Sequence, residues 1–151
     1  MNPVSKAPNV TDTPIARGIT LAAGTVRGPL ITLAEPVSFW GGFDAATGKV
    51  TDRRHPDLGR CLTGAIVRMT AARGSSSGSS VLAEAIRLGT APAGFVVRER
   101  CAILSLAALV AAELYGRHCV IVLLDKLAYD GLDEAPTLSL HATRAGAEVR
   151  R

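Results

Sequence analysis

The sequence predicts an α/β fold with a partly parallel sheet, flanking helices and a C-terminal β-hairpin. Three observations carry that expectation. GFVV at 94–97 and CVIVLL at 119–124 are short continuous apolar runs, the pattern of strands covered on both faces of a parallel sheet. Val81–Leu88 and Ala102–Tyr115 repeat apolar residues at helical spacing and end at Gly89 and Gly116. The tail alternates over Thr137–Thr143, turns at Arg144–Ala145–Gly146 and returns over Ala147–Arg150.

In chain order, residues 1–13 read as a flexible N-terminal arm. Pro3, Pro8 and the Thr11–Asp12–Thr13–Pro14 run oppose helix there. Residues 14–151 then form a single domain. Ile15–Val26 is strand-like but interrupted at Gly18 and Gly24, and a second strand runs from Leu30 to Pro36. Gly41–Gly48 is a turn-rich loop, Lys49–Thr51 a short strand and Asp52–Pro56 a second irregular loop. Gly59–Met69 is expected as a strand, followed by a helix over Ser79–Leu88 and a strand over Gly94–Val97. In the next helix, Ala102–Tyr115, the expected inner face is Ile103, Leu106, Ala107, Val110 and Leu114. The middle third is therefore β–α–β–α–β, a parallel unit with right-handed crossovers.

The chain is organised around RGSSSGSS at 73–80, lying between the apolar run that ends at Met69 and the helix that follows. A Ser/Gly run is commonly a linker. This one is short and has core-like sequence tight against both ends, which favours a structural turn. A turn that opens a helix leaves its first N–H groups facing whatever lies over the helix start, suiting a carboxylate, a phosphate or a developing oxyanion. It also falls beyond the carboxyl end of a parallel strand, where ligands bind in open α/β sheets. Elsewhere, His55 is a pH-tunable ligand or acid, with a capping role as the alternative. Asp44, before a Thr–Gly turn, reads first as a turn former.

Composition excludes several functions. Aromatics are 4% of 151 residues, too few for base stacking along single-stranded nucleic acid. The net charge of +4 comes from dispersed arginines with no basic block, read first as a solvated surface and second as attraction to an acidic ligand or partner. Ala102–Leu114 is too short to span a bilayer, and the N-terminus lacks a secretion signal. Cys61, Cys101 and Cys119 stand apart with no C-x-x-C spacing. Together these point to a cytoplasmic protein with incidental thiols.

Three blocks in this order and spacing, GGFDAATGKVTDRRHP, RGSSSGSSVLAEAIRLGTAP and ALVAAELYG before a buried strand, resemble the small, swivelling subunit of the aconitase-X family. The resemblance covers roughly Ile15–Leu124. It implies a swivelling β/β/α domain that closes over a large subunit, the two forming a heterodimer or higher assembly. The large subunit would bind the iron–sulfur cluster, whose iron acts as Lewis acid on a departing hydroxyl. Members are dehydratases, hydro-lyases acting on cis-3-hydroxy-L-proline or on phosphorylated mevalonate, and the hydroxyproline activity is expected here. Ser75 would be the proton acceptor, aided by Arg73 and the helix start. Gly74, Ser76, Ser77 and Ser79 would help hold a carboxylate-bearing substrate, with Asp44 and His55 on loops facing it. No metal ligand is expected in this chain. Two departures from the family pattern, Ala107 for a glycine and His118–Cys119 without a proline, read as packing variants. The competing readings are a phosphohistidine carrier, disfavoured because the turn holds no histidine, and a stand-alone small-anion-binding module.

Overall fold

The computed structural model describes residues 13–132 and 136–151, so the arm at 1–13 lies outside it except for Thr13. The apolar runs become the centre of an eight-stranded sheet. The elements are β1 (Pro14–Ala22), β2 (Gly24–Gly28), β3 (Leu30–Thr32), the short turn α1 (Phe39–Gly42), β4 (Phe43–Asp44) and β5 (Lys49–Val50). They continue as β6 (Ile66–Arg68), α2 (Gly78–Leu88), β7 (Gly94–Val97), α3 (Ala102–Tyr115), β8 (Val120–Leu123), α4 (Lys126–Asp130), β9 (Leu138–Thr143) and β10 (Gly146–Arg150). The sheet order is β2-β9-β10-β1-β8-β7-β6-β3, while β4 and β5 pair separately. Strands β3, β6, β7 and β8 are parallel and the rest pair antiparallel.

Alternation along the parallel strands makes two cores. Val67, Phe95, Val97 and Ile121 face one side, where Leu82, Ala85 and Ile86 of α2 and Leu104, Ala107 and Ala111 of α3 cover them. Ile66, Val96, Val120 and Val122 face the other, against Leu138, Leu140, Ala142 and Val149 of the antiparallel half. Burying one Val, Ile or Leu side chain is worth about 1.5–3 kcal/mol, so both faces contribute. The result is three layers, β/β/α, with the parallel strands in the middle. Among the described residues no helix is long and apolar enough to cross a membrane.

Three local expectations are corrected, and one element was not foreseen. Gly18 does not interrupt β1. It is where the strand changes partner, pairing with Ala147 of β10 while Ile19 pairs with Leu123 of β8. A Cβ at Gly18 would fall 2.2 Å from the Leu123 carbonyl oxygen, so the close crossing requires glycine. The expected strand Gly59–Met69 shrinks to Ile66–Arg68, because the chain turns at Gly59 and Gly64, both at positive φ, and between them Cys61 bridges to Lys49 of β5 instead of joining the large sheet. In α3 the buried face is Leu104, Ala107, Ala108 and Ala111, whereas Leu106 and Leu114 are exposed. That helix is apolar on nearly every side, so periodicity could not select the side that packs. The last is α4, unforeseen in sequence, which starts with Asp125 accepting the Ala128 N–H at 2.8 Å. Arg68 ties it down, donating to the Leu132 carbonyl at 2.8 Å with its guanidinium 4.6 Å from the Tyr129 ring centre.

Because β3, β6, β7 and β8 run the same way, the loops after them gather along one edge. The Ser/Gly turn after β6 and the segment linking β3 to β4 are neighbours there.

Candidate active site

The Ser/Gly turn is built by its glycines and by the neighbouring loop. The Arg73 amide donates to the Val37 carbonyl at 3.1 Å, and Ser38 and Arg73 form an isolated parallel bridge. Gly74 follows at φ +90°, where a Cβ would lie 2.3 Å from Ser38 Oγ. Gly78 starts α2 buried, its would-be Cβ 3.3 Å from Phe39 Cβ. Phe39 is itself fixed edge-on against Phe43 and Phe95. A rigid helix therefore stands behind the turn, and Arg73, Gly74, Ser75, Ser76 and Ser77 are all exposed.

The helix start differs from the expectation of free N–H groups. The amides of Gly78, Ser79 and Ser80 donate to the carbonyls of Ser75, Ser76 and Ser77 at 2.9, 3.1 and 3.2 Å. These tight i→i+3 bonds occupy donors that sequence alone leaves open. The Ser77 amide instead donates to Ser75 Oγ at 3.2 Å. Ser75 is thus the hydroxyl of the run that accepts an N–H at the positive end of α2, where negative charge on oxygen is stabilised. Ser80 Oγ donates to the Ser77 carbonyl at 2.7 Å.

Arg73 stands between two carboxylates that sequence reasoning did not single out. Its guanidinium is 3.3 Å from Asp52 Oδ2 and 4.0 Å from Glu35 Oε2. Asp52 is held by the Arg54 amide, which donates to Oδ1 at 2.9 Å. Such exposed pairs add little stability, but they orient the cation beside the turn. Neither acid carries a sequence signal, since each becomes relevant only when its loop folds against residue 73.

Three predicted site residues are committed elsewhere. Ser79 is buried, and its hydroxyl donates to the Ile103 carbonyl at 2.9 Å, joining α2 to α3. Asp44 closes its own turn, accepting the Ala46 amide at 3.0 Å and the Thr47 hydroxyl at 2.9 Å. His55 is 3% exposed, with Nε2 2.9 Å from the Glu35 carbonyl and Nδ1 accepting the Asp57 amide at 3.0 Å. Both ring nitrogens are used, so His55 pins the loop after β3 to the 52–57 loop. Asp57 completes that clamp by accepting the Ala34 amide and Arg60, each at 3.0 Å. Burial pushes its carboxyl up, but the Ala34 and Arg60 bonds outweigh it and hold the group below the usual carboxylate range.

The thiols do not fit an iron–sulfur cluster. Cys61 is exposed, with Sγ 3.4 Å from Thr63 Oγ1. Cys101 is buried at the start of α3 with Sγ 3.9 Å from the Ala72 carbonyl. Cys119 is buried and its thiol is pushed up to about 12 by that burial. Among the described residues no three His, Cys, Asp or Glu side chains gather as a metal site.

Residues 15–149 match the family described as the aconitase X swivel domain. The chain is 47% identical over 105 residues to the cis-3-hydroxy-L-proline dehydratase of Pseudomonas aeruginosa, covering 70% of this chain and 18% of that protein. It is 38% identical over 76 residues to the phosphomevalonate dehydratase small subunit of Methanothermobacter thermautotrophicus, covering 50% and 58% of the two chains. The holo-form crystal structure of Thermococcus kodakaraensis aconitase X superposes with a TM-score of 0.72 at 26% identity, covering 88% of this chain and 95% of that one. The chain thus spans less than a fifth of the length of the Pseudomonas dehydratase.

Proposed function

The chain belongs to the aconitase X swivel-domain family, and on that premise we propose that residues 14–151 act as one closing unit, the small subunit of a cytoplasmic hydro-lyase. It covers the site of a large polypeptide and supplies Ser75 as the base that dehydrates cis-3-hydroxy-L-proline. The observation that carries this reading is the Ser77 amide donating to Ser75 Oγ at the amino end of α2, on an exposed turn. The 47% identity to the Pseudomonas hydroxyproline dehydratase supports this choice of substrate. The iron–sulfur cluster belongs to the large polypeptide, since the thiols here do not fit one.

A serine is a weak base unless its alkoxide is stabilised. One oriented N–H and a helix start provide that, and covering the turn strengthens both by excluding water. In the substrate, the proton leaves the carbon bearing the carboxylate and goes to Ser75 Oγ. The electron pair of that C–H bond forms the double bond as the hydroxyl on the adjacent carbon leaves with the C–O bonding pair as hydroxide. The proton now on Ser75 Oγ converts that hydroxide to water, which restores the serine alkoxide for the next turnover. Arg73, oriented by Asp52 and Glu35, serves the substrate carboxylate together with the Ser76 and Ser77 hydroxyls. Gly74 contributes the backbone shape that lets the turn approach.

The test is to co-express the chain with an aconitase X large polypeptide from the same genome and assay water loss from cis-3-hydroxy-L-proline and from phosphomevalonate. Ser75→Ala should lower turnover at least about 100-fold with the complex intact. Full activity in Ser75→Ala would refute the base assignment. Turnover of phosphomevalonate alone would transfer the chain to the other substrate, a reading supported by its match to the Methanothermobacter small subunit. Binding of phosphate without any large polypeptide would favour the small-anion module.

A further inference from the structure

The turn that carries Ser75 has a neighbour that the chemistry does not use. Trp40, the single tryptophan of the sequence, is 58% exposed. Its backbone is held on both sides. The Ser38 hydroxyl donates to the Trp40 carbonyl at 2.9 Å, Gly41 turns away at φ +81°, and the Gly42 carbonyl accepts the Thr51 amide at 3.0 Å. Phe39, immediately before it, is fully buried. The residue's backbone also abuts the start of α2, the helix behind the Ser75 turn, since a Cβ on Gly78 would lie 3.4 Å from the Trp40 backbone nitrogen. On the adjoining loop Arg53 and Arg54 are exposed, and among the described residues their side chains have no ion pair.

A large aromatic side chain kept out in water on a locked backbone loses little freedom when covered. Tryptophans placed this way are the commonest energetic centres of interfaces. Resting on the proposed function, we infer that Trp40 is the anchor by which this chain docks on the large dehydratase polypeptide, entering an apolar pocket whose rim is acidic opposite Arg53 and Arg54. The identity of the occupant follows from two facts. The Ser75 turn is exposed and, on the proposed function, is closed by the large polypeptide; exposed Trp40 stands on the segment bridged to that turn at Ser38–Arg73, within reach of the same polypeptide. In the Pseudomonas relative the matching segment is 18% of the protein, so most of the polypeptide that completes such a site lies outside it.

Association of the chain with the same-genome large polypeptide, measured by titration with dehydratase activity and by interferometry, tests this. Trp40→Ala should weaken association about 30-fold or more, with turnover recovering as the large polypeptide is raised. Trp40→Phe should recover much of the affinity, and Arg53→Glu with Arg54→Glu should slow association and reverse its salt dependence. Unchanged affinity in Trp40→Ala overturns the inference. So does unchanged affinity with a raised KM, which would place the indole against substrate instead. If the wild-type chain does not associate at all, the proposed function falls first and the anchor with it. Trp40→Ala in the free chain should melt within about 1 °C of wild type, because its side chain is mostly in water. A larger drop shifts the measurement to Trp40→Phe and the arginine variants, which then decide.

Discussion

Replacing Gly74 by alanine tests whether backbone shape, rather than the serines alone, makes the site. Two costs add at this position. The residue sits at φ +90°, which an L side chain resists by about 1–2 kcal/mol. The new Cβ would also lie 2.3 Å from Ser38 Oγ and 3.0 Å from Ser38 Cβ, so one of the two loops must move by about an ångström. Gly41→Ala provides the control. Its φ is +81° but nothing lies within 4 Å of the added Cβ, leaving the torsional cost alone. The expected losses are about 1 kcal/mol for Gly41→Ala and about 3 kcal/mol for Gly74→Ala. In a domain of this size these correspond to about 2–4 °C and 6–12 °C in melting temperature. Moving the turn also separates Ser75 Oγ from the Ser77 amide, so turnover of the Gly74→Ala complex should fall about 100-fold while Gly41→Ala keeps its activity. Calorimetry of the free chain and steady-state assay of the complex read the two effects. Equal melting shifts for the two variants, or a fully active Gly74→Ala complex, would refute the reasoning.

Other expectations concern groups outside the turn. Ser79→Ala should cost about 1 kcal/mol, the hydrogen bond to the Ile103 carbonyl, and leave substrate KM unchanged; a raised KM would return Ser79 to the substrate. Asp57 ionises more readily folded than unfolded, so its contribution is complete above the ordinary carboxylate range and is lost as pH falls through its folded value. Melting temperature followed from pH 7 to pH 3 should therefore drop less steeply in Asp57→Asn than in wild type. Thiol alkylation at neutral pH, followed by mass spectrometry, should modify Cys61 first. Bonds from Thr63 and the charge of Lys49 lower its thiol, whereas buried Cys119 should react only on unfolding.

Much of this molecule was legible in the sequence because its signals are local. The runs at 94–97 and 119–124 could lie only in the middle layer, and helical spacing ending at Gly89 and Gly116 set α2 and α3 within a residue. The RGSSSGSS run announced the turn, because glycine and serine at a strand-to-helix junction have few other uses. Tertiary structure decided which side chains face that turn. Ser79 follows the helical repeat into the α2–α3 contact, and His55 turns both nitrogens onto backbone, although the family resemblance implied a site role for each. Asp52, Glu35 and Trp40 come to the turn only because β3 runs parallel to β6, which sets the loop after β3 beside the loop after β6. Sequence records what each residue can do and the period at which it repeats. Proximity between residues 20 to 40 positions apart is a property of strand order, and strand order is settled only when both faces of the sheet are covered.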